Sequence, residues 1–327
     1  MTGTPHDWKP SEADLAHARD ATWPSHITAR GWRDIALRVL DSISRTNLSL
    51  VAAGLAFFAF LAIPAALTAL VALYGLVFDP GAVGRQIAAM RVIVPADAIG
   101  VISGELTQIT SSSGSKLSFA LGVSVVIALW TARSGTSSLM SGLNIVYEEP
   151  EKRSLFRFYL DALMLTACGT IFAILAVALV AVLPAAIALL PLGDYTKAVA
   201  AVARWPILLV LVTLSFAAVY RYAPCRRQPR WRWVSWGAVI ATLLWLGGSA
   251  LFSLYVSNFA SYNKTYGSLG AVVALLMWLY VSCFCVLLGG TINAEMEHQT
   301  ARDSTIGAPK PIGKRRATMA DTLGETK

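Results

Sequence analysis

Residues 48–78 read LSLVAAGLAFFAFLAIPAALTALVALYGLVF, with no charged side chain from one end to the other. A hydrocarbon core about 30 Å thick is crossed by roughly 20 apolar residues in an α-helix, so this run spans it with residues to spare. Five further uncharged stretches follow: Leu117–Ala132, Ala162–Gly193, Trp205–Tyr220, Trp233–Asn263 and Thr265–Ala294. The second and fourth of the six reach spanning length by admitting Arg133 and Arg204 near their ends. Buried helices of a soluble protein would each keep a charged outer face, and these have none. The pattern predicts an all-α, polytopic integral membrane protein with six transmembrane helices, plus amphipathic interfacial helices.

Charged residues make up only 14% of the chain, which makes their placement informative. With a cytoplasmic amino terminus and six spans, the inner segments hold 21 of the 27 Lys and Arg residues and the outer segments 6. Basic loops resist translocation, so both termini are expected on the cytoplasmic side. The net charge of +8 then reflects topology and attraction to anionic inner-leaflet lipid. It does not imply nucleic-acid binding, because Arg226–Trp233 is a short loop between two spans rather than a basic stripe on a soluble face.

The flanks divide the chain further. Residues 1–31, with Pro5, Pro10 and Pro24 among charges, read as a disordered cytoplasmic N-terminus with no cleavable signal. Residues 32–46 place Trp32, Ile35, Val39 and Ile43 at steps of three and four, the pattern of an amphipathic helix in the inner-leaflet interface. The membrane domain covers 47–298, and 299–327 reads as a basic, flexible cytoplasmic tail. Residues 79–116 are expected to form short helices on the outer leaflet. Pro64 and Pro184 are expected to bend the first and third spans. The four cysteines and four histidines are scattered, which predicts no disulfide framework, no metal site and no cofactor. Small residues such as Ala52, Ala56, Gly247 and Gly248 permit helix contacts within one chain or between copies. Protein partners are left open.

Beyond the second apolar run the helix continues, with Thr131, Arg133, Ser134, Ser137, Ser138, Ser141 and Asn144 on one half of the wheel. Arg133 lies about 24 Å along the helix from Leu117 at 1.5 Å per residue, in the inner third of the bilayer. Two readings stand. Either Arg133 snorkels to the inner headgroups beside a solvated helix end, or it lines a hydroxyl-walled cavity with Ser134, Ser138, Ser141 and Asn144, suited to an anionic headgroup or solute. In the second reading Asp161, Tyr266, Gly267, Gly270, Trp278 and Glu295 support the site, and Leu139 and Leu143 are buried against neighbouring spans. A weak internal similarity at an offset of 148 pairs Leu121, Gly122 and Trp130 with Leu269, Gly270 and Trp278.

Tyr220-Arg221-Tyr222-Ala223-Pro224, Tyr266-Gly267-Ser268-Leu269-Gly270, Trp278-Leu279-Tyr280 and Leu288-Gly289-Gly290, with Gly142-Leu143-Asn144-Ile145-Val146-Tyr147 upstream, resemble the YihY/virulence factor BrkB family over about residues 32–297. The resemblance implies a six-span bacterial inner-membrane protein. It brings an older ribonuclease label, a transporter-like role and a link to serum resistance, but no catalytic residues to transfer. Phe58 stands where members often carry Tyr. Function is expected to be transport or handling of a lipid-like or amphipathic anionic substrate. The alternative is a non-transporting protein that organises the envelope or docks partners. No His-rich metal set, Gly-x-Ser-x-Gly or phosphate-cradling loop occurs, so no enzyme activity is expected. No Asp or Glu lies between Asp194 and Glu295, which favours movement without tight proton coupling.

Overall fold

Apolar residues with no period-two alternation and few strand breakers fold as long helices, because only a helix satisfies every backbone group within one segment in lipid. The computed structural model describes residues 11–77, 115–182, 187, 193–258 and 268–326. Among these the helices are α1 (Glu12–Ala16), α2 (Ala29–Arg45), α3 (Leu48–Val77), α4 (Ser115–Val146), α5 (Leu155–Val177), α6 (Asp194–Tyr222), α7 (Trp231–Asn258), α8 (Ser268–Gln299) and α9 (Thr318–Asp321). A π-helical turn, Ala178–Val182, extends α5. Pro64 lies inside α3, which continues through it; Pro184 and residues 79–114 lie outside the described residues.

Among the described residues, four segments are long and apolar enough to cross a membrane: Leu155–Val180, Ala198–Tyr222, Trp231–Val256 and Gly270–Gln299. A fifth is added if α2 and the first part of α3, bent by 64° at their junction, count as one broken span. The sequence expectation was six. The bend is made at Asn47, whose φ of 49° is the left-handed conformation that Asn tolerates better than most residues.

The long helices pack side by side in the order α4, α3, α8, α7, α6, with α5 along α4 and only sparsely against α6. Their tight core lies at the end of the bundle that carries both terminal segments. There Leu48, Ala52 and Leu55 of α3, Met140, Leu143 and Val146 of α4, Ala217 and Tyr220 of α6, Ala238 and Ala241 of α7, and Leu287 of α8 are buried together. The many alanines let backbones approach closely, which is how helices associate when lipid supplies no hydrophobic drive. Farther along, Leu175, Val202, Leu209, Leu251, Leu254 and Val273 are exposed, as lipid-facing side chains would be.

Both flanks depart from the sequence reading. Residues 11–28 are ordered: Ser11 and Asp14 close a capping box on α1, and Ala18, Ala21 and Ile27 are buried against Ile35, Val39, Trp233 and Met296. Helix α2 is amphipathic as expected. Its inner face, however, carries Asp34, Arg38 and Ser42 beside Ile35 and Val39, all buried, and it packs on α8. The residues after Gln299 form a strap rather than a loose tail. Arg315, 3% exposed, donates to the carbonyls of Ala301, Arg302, Lys310 and Ala320, and Met319 enters the main core. Pro and Gly content suggested flexibility, but one buried guanidinium gathers four carbonyls and fixes the turns.

Candidate functional site

Arg133 projects from α4 between two rings. Its guanidinium carbon lies 4.1 Å from the centroid of Trp130 and 4.1 Å from that of Tyr159. Trp130 precedes it by three residues on the same helix, so helical geometry alone brings them together. Tyr159 comes from the first turns of α5, about 6 Å along the axis from Leu155 at 1.5 Å per residue. Trp130 and Tyr159 themselves meet edge-on at 6.2 Å. The Arg133 Nε is enclosed without a hydrogen-bond partner, and Arg133 forms no ion pair among the described residues. The cation is therefore stabilised by aromatic quadrupoles and left without a counter-charge.

The serines do not join it in a cavity. Ala132, Met140, Leu143, Val146 and Tyr147 are buried and define the inner face of α4, where Leu143 and Val146 lie near Gly290 of α8. At 100° per residue Ser134, Ser138 and Ser141 fall on the opposite side, with the exposed Thr131 and Ile145. Ser138 and Ser141 satisfy their hydroxyls on the carbonyls of Ser134 and Ser137. In an apolar setting such back-bonding is the local alternative to water. The polar half-wheel was real, but the apolar half bound the neighbouring helices and turned the serines outward. Leu143 is buried and Leu139 packs against the core, as expected.

Asn144 has a different task. Its amide donates to Glu151 at 2.9 Å, and its carbonyl accepts the Cys225 backbone N–H at 2.7 Å. It thereby ties the α4–α5 loop to the α6–α7 loop. Arg153 braces the same corner, bonding Glu151 and the Ala223 carbonyl. Burial opposes ionisation of Glu151, yet hydrogen bonds from the Arg153 side chain and backbone outweigh it and draw its carboxyl down to about 2. Asp161 pairs with Arg153 and Arg157, so it serves this corner and not Arg133.

A second charged cluster closes the end of α8. Glu297 and Arg226 are each 1% exposed and meet at 2.6 Å; Ser304 adds its hydroxyl to Glu297 at 2.6 Å, and Arg226 lies 4.2 Å over the Tyr147 ring. Glu149 accepts the Thr318 backbone N–H, and its burial pushes its carboxyl pKa up. Two residues before Glu297, on the other side of α8, Glu295 pairs with Arg38 at 2.7 Å and with His298 at 3.4 Å, while Arg38 also donates to Gln299. His17 contacts Asp34 at 2.5 Å. Arg226 with Glu297 and Arg38 with Glu295 are thus paired inside the protein. Glu295 is a fastener here, not a support for Arg133.

Trp278 packs edge-on against Trp245 at 6.3 Å and lines an open groove of about 480 Å³ between α7 and α8, with Ser249, Phe252 and Leu275. Gly270 is buried at the start of α8. Tyr266 and Gly267 lie outside the described residues. The sequence reading missed Trp130 and Tyr159 as partners of Arg133, and Arg226 as partner of Glu297. The spacing of three from Trp130 to Arg133 was a usable signal; the contacts with Tyr159 and Glu297 join residues remote in sequence and left none.

Residues 39–312 match the family model described as Virulence factor BrkB. The chain is 34% identical to a ribonuclease-like protein, YfkH, of Bacillus subtilis (strain 168), over 61% of this chain and 73% of that protein. It is 31% identical to a UPF0761 membrane protein of Idiomarina loihiensis, over 32% of this chain and 36% of the relative. A UPF0761 membrane protein of Psychromonas ingrahamii is 35% identical, over 27% of this chain and 30% of the relative. With these last two the match spans only about a third of the relative's length. No solved structure matches the chain.

Proposed function

The chain belongs to the Virulence factor BrkB family, and from that premise we propose that it binds and moves a lipid-like or amphipathic anion. In this reading it is a six-span protein of the bacterial inner membrane with both termini cytoplasmic, and its partner is anionic inner-leaflet lipid. The observation that carries the proposal is Arg133, a guanidinium on a membrane helix, clasped between Trp130 and Tyr159 with no carboxylate among the described residues. The Arg226 side chain, fully buried, is neutralised by Glu297; Arg133, half-buried, rests on aromatic faces instead and keeps its charge available to an anion. A merely snorkelling arginine would extend its head into water instead of folding onto two rings with Nε enclosed.

The sealed end of the bundle supports a conduit closed at that face. The Arg226–Glu297 and Arg38–Glu295 pairs lie beneath the strap and engage two of the buried carboxylates there, and Glu149 is held by the Thr318 N–H. Movement is accordingly assigned to the substrate's own gradient or to lipid redistribution. The ribonuclease-like name of the Bacillus relative is not carried over, because no three His, Cys, Asp or Glu side chains among the described residues converge to hold a metal. Proteoliposomes loaded with labelled anionic lipids and amphipathic anions test the reading. Flux is expected from the wild type and to fall in Arg133→Ala. Equal flux from both across the whole substrate set would sink it.

A further inference from the structure

Resting on the anion-handling reading, we propose that Arg133 and Ser137 form the binding site for the phosphate of a membrane phospholipid, entered sideways from the bilayer between α4 and α5. Four features point there. Arg133 makes no hydrogen bond or ion pair among the described residues, and its Nε is an enclosed, unsatisfied donor. One helical turn on, at 40° around the axis, the Ser137 hydroxyl is likewise enclosed and unsatisfied, unlike those of Ser138 and Ser141. Two unsatisfied donors one turn apart on the same side of α4 suit an oxyanion with several acceptor oxygens, and planar guanidinium donors suit phosphate better than a point charge does.

The walls of the site identify the ligand's source. Trp130 is 52% exposed, so with α4 in the membrane, as the six-span reading has it, the clasp opens toward lipid and not into the bundle core. Tyr159 is about one turn from the start of α5, at the level where Arg153 and Arg157 hold Asp161 and where the Leu155–Val180 span begins; on the six-span reading this is the headgroup end of α5, with apolar surface alongside for acyl chains. The carboxylate nearest Tyr159 in the chain, Asp161, is already engaged by those two arginines and does not compete for Arg133. A free anion in water would have to cross the headgroup layer to arrive, whereas a phospholipid in the adjoining leaflet is delivered by lateral diffusion.

The test is native mass spectrometry of the purified full chain with short-chain phosphatidylglycerol, a phosphate-free fatty acid of matching chain length, and inorganic phosphate. Wild type is expected to retain phosphatidylglycerol in preference to the fatty acid. Losing one charge-assisted contact set weakens binding by roughly tenfold or more, so Arg133→Ala should show at least that loss. Arg133→Lys, which keeps the charge but not the planar fork, is expected to fall between, and guards against misfolding of the alanine variant. Ser137→Ala should show a smaller loss, and Arg157→Ala, at the same depth but paired with Asp161, none. Displacement of phosphatidylglycerol by inorganic phosphate would move the assignment to a free anion and overturn the lipid source. Equal retention in wild type and both Arg133 variants would overturn the site. Flux that depends on Arg133 while the fatty acid binds as well as phosphatidylglycerol would overturn the phosphate assignment and leave the transport reading standing. Arg133-dependent binding without any flux would do the reverse.

Discussion

Arg226, in the loop between α6 and α7, and Glu297, in the last turns of α8, meet at 2.6 Å with both side chains 1% exposed. The pair ties the α6–α7 loop to the end of α8, remote in the chain, and Ser304 and Tyr147 complete its surroundings. Removing one partner from a buried ion pair strands the other and costs about 3–5 kcal/mol. Arg226→Ala and Glu297→Gln are therefore each expected to lower the unfolding temperature in detergent sharply. The double variant should lose less than the sum of the two, and strict additivity would show that the pair does not act as a unit.

The strap offers a second handle. Met319 is 2% exposed within the main core, and deleting a buried side chain of that size costs about 2–5 kcal/mol. Met319→Ala should destabilise by an amount in that range, and protease should then cut first in the strap. If Met319→Ala melts like the wild type and its strap stays protected, the strap is not fastened by that contact.

Close helix packing makes its own forecast. The Gly237 N–H donates to the Asn293 side chain at 3.1 Å, and a methyl group at Gly237 would fall on that amide. A methyl at Gly289 would meet Ala241 and the Tyr220 hydroxyl. Overpacking typically costs about 1–3 kcal/mol, so Gly237→Ala and Gly289→Ala should both destabilise. Gly54→Ala, with open space around it, should not. Thermal unfolding of the three variants separates these outcomes.

Glu151 predicts a pH dependence. Its carboxyl is drawn from an ordinary 4.5 to about 2 in the folded protein, so the clasp with Arg153 contributes fully above about 4.5 and is lost as pH falls toward 2. Wild type should melt above Glu151→Gln near neutral pH, with the gap closing across that acid window. A gap that stayed constant into strong acid would contradict the assignment.

Glu149 behaves in the opposite sense. Burial raises its pKa despite the Thr318 hydrogen bond, so its charge opposes folding at pH values above the raised value and ceases to do so as pH falls through it. Glu149→Gln keeps an acceptor for Thr318 and removes the charge. It should be at least as stable as the wild type near neutral pH, with the difference shrinking in acid. Marked destabilisation at neutral pH would show that the charge itself is needed.

The amino-acid sequence alone determined that this chain is helical and membrane-embedded, because long uncharged runs have no other stable arrangement in lipid. It also located Arg133 as the cation worth explaining and gave α2 its amphipathic period. What it left open was which neighbour each face would meet. Ser134, Ser138 and Ser141 shared a side of α4, yet that side turned outward because Ala132, Leu143 and Val146 were better matched to the small residues of α3 and α8. Arg133 acquired Tyr159, Glu297 acquired Arg226, and Arg315 gathered the strap only when remote segments came together. Periodicity is a local property and can be read along one helix; the pairing of a charge or a ring across helices depends on which surfaces exclude lipid from one another, and only the packed bundle decides that.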